Sequence, residues 1–188
     1  MKTASSLLLA ALLAARAFSA QAENPAASLA REAKAQFDAG NFLEAKSIYE
    51  KAAVQTPDNP DLFSELGVAC FRANQLEPAR EAFKKTIALE PADSFNYCAL
   101  GIVHWSEGKY DDAVNKLTKA LSMDPRNATA HYYLGLVAGR KNWAEAAQKE
   151  RETAERLDPR YKDAGPRQLP FLENFLTRDE RLKFPVRK

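Results

Sequence analysis

One spacing governs this sequence: the prolines at 57, 91, 125 and 159 stand 34 residues apart. Ala45, Ala79, Ala113 and Ala147 keep the same step, as do Gly67, Gly101 and Gly135. A fixed period of this length marks a stack of like units, because a unit so small cannot cover its own apolar face without a neighbour.

The pattern is fullest in residues 94–127, which carry Tyr97, Leu100, Gly101, Gly108, Tyr110, Ala113, Leu117, Ala120 and Pro125. Each has a mechanical reason. Gly101 and Ala113 let two helices approach at their crossing, and Tyr97, Leu100, Tyr110 and Leu117 fill the space beside it. Gly108 tolerates the positive φ that ends a first helix, and Pro125 stops the second. These residues at this step resemble the tetratricopeptide repeat, a helix-turn-helix unit. The resemblance implies an all-α fold, an α-solenoid of about four repeats at 26–59, 60–93, 94–127 and 128–161, with a C-terminal capping helix.

The units depart from the pattern in ways that have physical readings. In the second, Asn74 replaces the turn glycine, and Asn also tolerates the left-handed region. Pro78 falls in the first positions of a second helix, where a missing N–H costs nothing. The first unit has Glu32 and Ala33 where Leu and Gly are usual, and a more polar outer face suits a terminal repeat. The fourth is degenerate: Trp143 arrives one residue early in its turn, and Arg151 stands where an aromatic is expected.

The ends carry different signals. Lys2, the apolar run Ser6–Ala15 and the small-x-small triplet Ala20-Gln21-Ala22 read as an export signal at 1–22, cleaved after Ala22. The leader looks bacterial, so a periplasmic or secreted location is expected; an uncleaved anchor is the alternative. Lys2 and Arg16 account for the whole net charge of +2, leaving 25 basic and 25 acidic residues in the mature chain. A neutral body gives no electrostatic reason to expect nucleic acid or an anionic membrane as partner, and no membrane insertion is expected after leader removal. At the other end, 162–188 reads as a capping segment. Phe171, Leu172, Phe175, Leu176 and Leu182 have helical spacing, which predicts a short amphipathic helix over about 171–182. Such a helix caps the last repeat, docks on another chain, or folds back into a groove of its own array.

In the family that the repeats resemble, first helices line a concave groove at the second, fifth, ninth and twelfth sites of each unit. Carried over by position, the protein-binding groove is Lys34, Phe37, Ser64, Val68, Phe71, Phe95, Cys98, Ile102, Trp105, Tyr132 and Leu136. An apolar stripe of this kind on an evenly charged chain marks an interaction surface, though each aromatic taken singly has a packing role open to it. The resemblance does not extend to the carboxylate clamp of some relatives, because no ninth site holds Asn.

Catalytic signatures are missing. The two histidines, His104 and His131, fall where the family packs an aromatic, and no metal-binding pair, nucleophile elbow or phosphate loop is present. Asp111 and Asp112 open a helix, where they favour its positive end. No cofactor, metal or catalytic residue is expected. Cys70 and Cys98 sit six positions apart on neighbouring first helices, about 9 Å along the axis. A disulfide needs Cα atoms within about 7 Å, so two free thiols are expected. The sequence thus reads as a non-catalytic adaptor or scaffold that binds another protein or peptide and assists assembly of a larger complex. The alternative is a self-associating structural subunit of a periplasmic or envelope complex, a homo-oligomer.

Overall fold

A computed structural model of the chain describes residues 24–162. The leader read at 1–22 and the helix expected at 171–182 lie outside the described residues. Within them run eight α-helices: α1 Pro25–Asp38, α2 Phe42–Gln55, α3 Pro60–Arg72, α4 Leu76–Leu89, α5 Ser94–Ser106, α6 Tyr110–Met123, α7 Ala128–Arg140 and α8 Ala144–Leu157. A 3₁₀ turn, Pro159–Tyr161, follows. The described residues contain no strand, and α1–α2, α3–α4, α5–α6 and α7–α8 pack as four successive hairpins. The all-helical solenoid expected from the repeat is what the structure shows.

Local chemistry explains the boundaries. Each first helix starts behind a side-chain cap: Asn24, Asn59, Asp93 and Asn127 accept from the backbone N–H of Ala26, Asp61, Phe95 and Ala130 at 3.1, 3.0, 2.9 and 2.9 Å. These caps satisfy donors that the first turn leaves without partners. Each hairpin turn then uses one left-handed residue: Gly40, Asn74, Gly108 and Asn142, with φ of 83°, 58°, 75° and 59°. The fourth turn, irregular in sequence, therefore keeps the backbone of the others, with Asn142 in the role of Gly108. Pro78 is the third residue of α4, inside the first turn as expected. Pro57, Pro91 and Pro125 stand at equivalent corners between hairpins, each in the turn that joins a second helix to the next first helix.

Close packing within hairpins rests on the periodic glycines. A methyl group on Gly67 would lie 2.8 Å from the Phe83 ring, and one on Gly101 would lie 2.7 Å from Leu117 Cγ. On Gly135 it would meet Arg151 Cγ at 2.8 Å, so the stem of that arginine covers the glycine where an aromatic is usual. Buried Tyr49, Phe83, Leu100 and Val103 belong to one core shared by the first three hairpins, and Leu117, Tyr133 and Val137 to a second shared by the last two.

Neighbouring hairpins do not meet evenly. α3 touches α5 and α5 touches α7, whereas no two second helices of adjacent hairpins make comparable contact. The first helices α3, α5 and α7 thus touch in sequence and line one face of the array, the inner face of the solenoid.

Candidate functional site

The inner face is built from α1, α3, α5 and α7, and it divides into two layers. Ser64, Val68, Cys98, Ile102 and Tyr132 are buried, with at most 4% of their surface exposed. They lie at the joints between hairpins. Ser64 Oγ donates to Asn96 Oδ1 at 2.9 Å on the next first helix, and Cys98 Sγ stands 3.9 Å from Asn127 Oδ1. The Tyr132 ring lies against Tyr161, centroid to centroid 4.9 Å. The part-exposed layer above consists of Lys34, Phe37, Phe71, Phe95, Trp105 and Leu136. A partner laid along the inner face meets this second layer, so the contact surface is narrower than sequence position alone suggests.

The two ends of that surface differ. At the first hairpin, Lys34 Nζ bonds the Asp38 carboxylate at 2.7 Å, and Phe37 packs edge-on against Phe42 at 5.2 Å. The Arg72 guanidinium lies over both rings, 4.3 Å from Phe42 and 5.6 Å from Phe37. From Phe71 onward the surface turns apolar: the second, fifth, ninth and twelfth sites of the third unit are Phe95, Cys98, Ile102 and Trp105, none of them charged. An open pocket of about 580 Å³ lies beside the first two hairpin turns, lined by Phe42, Leu43, Glu44 and Arg72, at the edge of the array and away from Trp105.

Beneath Trp105 lies an aromatic cluster that site-by-site reading of the sequence missed. Tyr133 stands edge-on to Trp105 at 5.3 Å and to Tyr132 at 5.8 Å, and is fully buried. Tyr161 closes the row, its hydroxyl 2.6 Å from Thr129 Oγ1. No repeat-period signal marks it, since the position of Tyr161 is held by Asn127 one period earlier. Burial pushes the Tyr133 hydroxyl well above the usual tyrosine range and that of Tyr161 up to about 12. The Tyr133 hydroxyl and Trp105 Nε1 are buried without a hydrogen-bond partner. An unsatisfied buried hydroxyl costs about 1–3 kcal/mol, so Tyr133→Phe is expected to leave thermal stability unchanged or raise it by about 1 kcal/mol. Calorimetry of the two chains checks this.

Several titratable residues tie the helices of the array together. Cys70 and Cys98 are free, buried thiols; burial raises Cys70 to about 11 and Cys98 further, which leaves both protonated and unreactive at neutral pH. His131 Nδ1 lies 2.6 Å from Glu150 Oε2, tying α7 to α8. Among the described residues no group of three His, Cys, Asp or Glu could hold a metal, and no helix is long and apolar enough to cross a membrane.

Glu107, in the turn after α5, is the centre of a charge cluster. It faces Arg80 Nε of α4 at 3.3 Å, Lys109 Nζ at 2.9 Å and His104 Nδ1 at 3.5 Å. Burial opposes ionisation of Glu107, but the Lys109 and Arg80 cations outweigh it and hold the carboxyl below its ordinary value. Burial holds His104 below the ordinary histidine value of 6.5, against the pull of Asp112 and Glu107. As pH falls through 6.5 the unfolded histidine takes its proton first, so the folded state loses stability until the folded value is passed. Glu107 acts in the same direction below 4.5. Stability is therefore expected to fall between about pH 7 and pH 5, and His104→Gln to flatten that dependence in urea titrations at each pH.

The Tetratricopeptide repeat family matches the chain twice, over residues 36–100 and 98–162. No curated protein matches it. Among solved structures, it is similar to YrrB, described as a TPR protein with an unusual peptide-binding site. The two share 25% identity over 71% of this chain and 69% of that one, with a TM-score of 0.64. MamA from Desulfovibrio magneticus RS-1 is 21% identical over 76% of this chain and 80% of its own, with a TM-score of 0.67. The first TPR of Spaghetti (RPAP3), solved bound to an HSP90 peptide, is 23% identical over 62% of this chain and 93% of its own, TM-score 0.60.

Proposed function

The chain belongs to the tetratricopeptide-repeat family, and from that premise we propose that it is a non-catalytic adaptor whose inner face takes a segment of another protein. One observation carries the reading: Phe71, Trp105 and Leu136 form a part-exposed apolar row on the inner helices of a chain whose mature composition is evenly charged. Part-exposed apolar side chains gathered on one face favour a partner that buries them. The peptide-binding site described for YrrB supports a peptide as the class of occupant.

The chemistry of the row defines what fits. Trp105 is the central anchor, since indole side chains dominate the energetics of protein contacts. Phe71 on one side and Leu136 on the other suit apolar side chains of an extended or helical segment. No acidic carboxylate is favoured here, because the third unit supplies no cation to the row. The reading further includes export: residues 1–22 act as a leader, and the adaptor assists assembly of a larger complex in the periplasm or outside the cell. N-terminal sequencing of the exported chain is expected to begin at Glu23.

Fluorescence tests the groove itself. Titrating the mature chain with apolar and with acidic peptides is expected to shift Trp105 emission with the apolar set alone. Phe71→Ala with Trp105→Ala is expected to weaken capture of an apolar peptide, measured by calorimetry, by more than about thirtyfold, the factor that loss of a single anchor worth about 2 kcal/mol already gives. Unchanged capture by a folded double variant rejects the reading. Growth of the scattering mass with protein concentration would instead favour self-association.

A further inference from the structure

The two later joints between hairpins are tied across their turn edge by charge, and the first is built differently. The residue before the left-handed turn position is Ala73 in the second hairpin, Glu107 in the third and Lys141 in the fourth. Glu107 reaches back to Arg80 Nε on α4 at 3.3 Å, and Lys141 pairs with Asp111 at the start of α6. Ala73 has no charge to offer. The residue of α2 equivalent to Asp111 is Leu43, at a site where α4 and α8 also carry an acid, Glu77 and Glu145. Leu43 is 62% exposed, and with Ala73 it borders the open pocket of about 580 Å³ beside the first two hairpin turns. The pocket thus lies where a charged tie crosses the last joint.

The walls of the pocket define what fits. Phe42 and Leu43 supply apolar surface, and Arg72 supplies a flat cation. The Arg72 guanidinium is 4.3 Å from the Phe42 centroid and 5.6 Å from that of Phe37, and the two rings are 5.2 Å apart. Both rings therefore lie to one side of it. A ring entering from the pocket meets the guanidinium on the other side, with Leu43 at its edge, and gains a cation–π contact that is strongest for indole. Stacking uses the face of the guanidinium and leaves its N–H fork to the bonds it already makes. A carboxylate is a poorer fit, because Glu44 lines the same pocket.

The pocket adjoins the first end of the inner face, since Phe37, a groove residue, packs on Phe42. Packed helices stand up to about 10 Å apart, so α1 and α5 are separated by roughly 20 Å, a span that about six extended residues cover. We propose that this pocket is a second anchor site, which takes an aromatic side chain of the segment held on the inner face. The proposal rests on the groove reading for the source of that side chain, and adds the site, its chemistry and its span from Trp105.

Transplanting the tie of the last joint tests the site. Leu43→Asp with Ala73→Lys places the Asp111–Lys141 pair at the equivalent positions and closes the pocket; an unchanged melting temperature shows that the fold survives. The probes are the N-acetyl amides of tryptophan, phenylalanine and leucine, read by shifts of the Gly40 and Asn74 backbone amide signals. The two aromatic amides are expected to give saturating shifts, tryptophan the tighter, and the leucine amide to bind at least about tenfold more weakly. The double variant is expected to lose at least about tenfold in aromatic amide affinity. Equal binding of the leucine amide, or aromatic binding indifferent to the double variant, overturns the proposal. Should the double variant melt early, Leu43→Glu, which installs the residue type of α4 and α8, gives the same comparison.

The source of the ring is tested with a ten-residue apolar peptide that shifts Trp105 emission, made with phenylalanine or alanine at either end. One phenylalanine placement is expected to tighten binding about tenfold, and the double variant to abolish that gain alone. No gain at either end, with the aromatic amides still bound, overturns the proposal and leaves the groove reading standing. Peptides that leave Trp105 emission unchanged while the amides bind overturn the groove reading, and with it the source of the ring.

Discussion

Phe83→Ala is expected to cost about 3–5 kcal/mol, read as a fall in the urea midpoint of the mature chain. Phe83 is 1% exposed, and its ring lies against Gly67, so truncation leaves a cavity at that helix crossing. The damage does not stay in one hairpin. Phe83 belongs to the core that runs from Ala33 and Tyr49 through Leu66 to Leu100, so its loss loosens the first three units together. In a stacked array stability is a sum over units and the interfaces between them, and a single deep cavity removes both kinds of contribution. Val54→Ala is the control: Val54 is 82% exposed, and the change is expected to fall within about 0.5 kcal/mol.

Overfilling the next crossing is expected to have an effect of similar size. In Gly101→Val the new Cβ meets Leu117 Cγ at 2.7 Å and the Leu117 backbone nitrogen at 3.3 Å, before its two methyl groups are placed. The leucine side chain can turn aside, but the backbone cannot, so α5 and α6 must separate. Overpacking of this kind costs about 1–3 kcal/mol, occasionally more, and Gly101→Val lies at the upper end, near about 3 kcal/mol. Gly101→Ala is milder, because alanine regains up to about 1 kcal/mol of helix propensity over glycine. Adding Leu117→Ala to Gly101→Val is expected to recover part of the loss, a coupling of about 0.5–3 kcal/mol in a double-mutant cycle. Gly108 has open space around its Cβ position but φ of 75°, and there an asparagine, as at position 74, is the tolerated replacement.

The architecture was legible because a 34-residue period leaves few folds open. Each periodic residue does one mechanical job that can be named in advance: Pro125 at a corner, Gly108 in a left-handed turn, Gly101 under Leu117. The degenerate fourth turn was less legible, since Trp143 drew attention to a shifted residue while Asn142 quietly supplied the positive φ. The inner face was readable only by position. A site number says which way a side chain points but not how close the next hairpin comes. That distance is what buries Val68, Cys98 and Ile102 and leaves Phe71 and Trp105 part-exposed. Tyr133 escaped notice for the same reason: it stands outside the four groove sites, yet its ring supports Trp105 from beneath.

The central claim is that the inner face, through its apolar row, holds a segment of another protein. Crosslinking in living cells from a photoreactive residue at Leu136 tests it most directly, with the same residue at Val54 on the outer helix α2 as reference. The account predicts a discrete adduct from Leu136 that disappears when Trp105→Ala is added, and none from Val54. Adducts from Val54 alone, or a Leu136 adduct indifferent to Trp105→Ala, would contradict it.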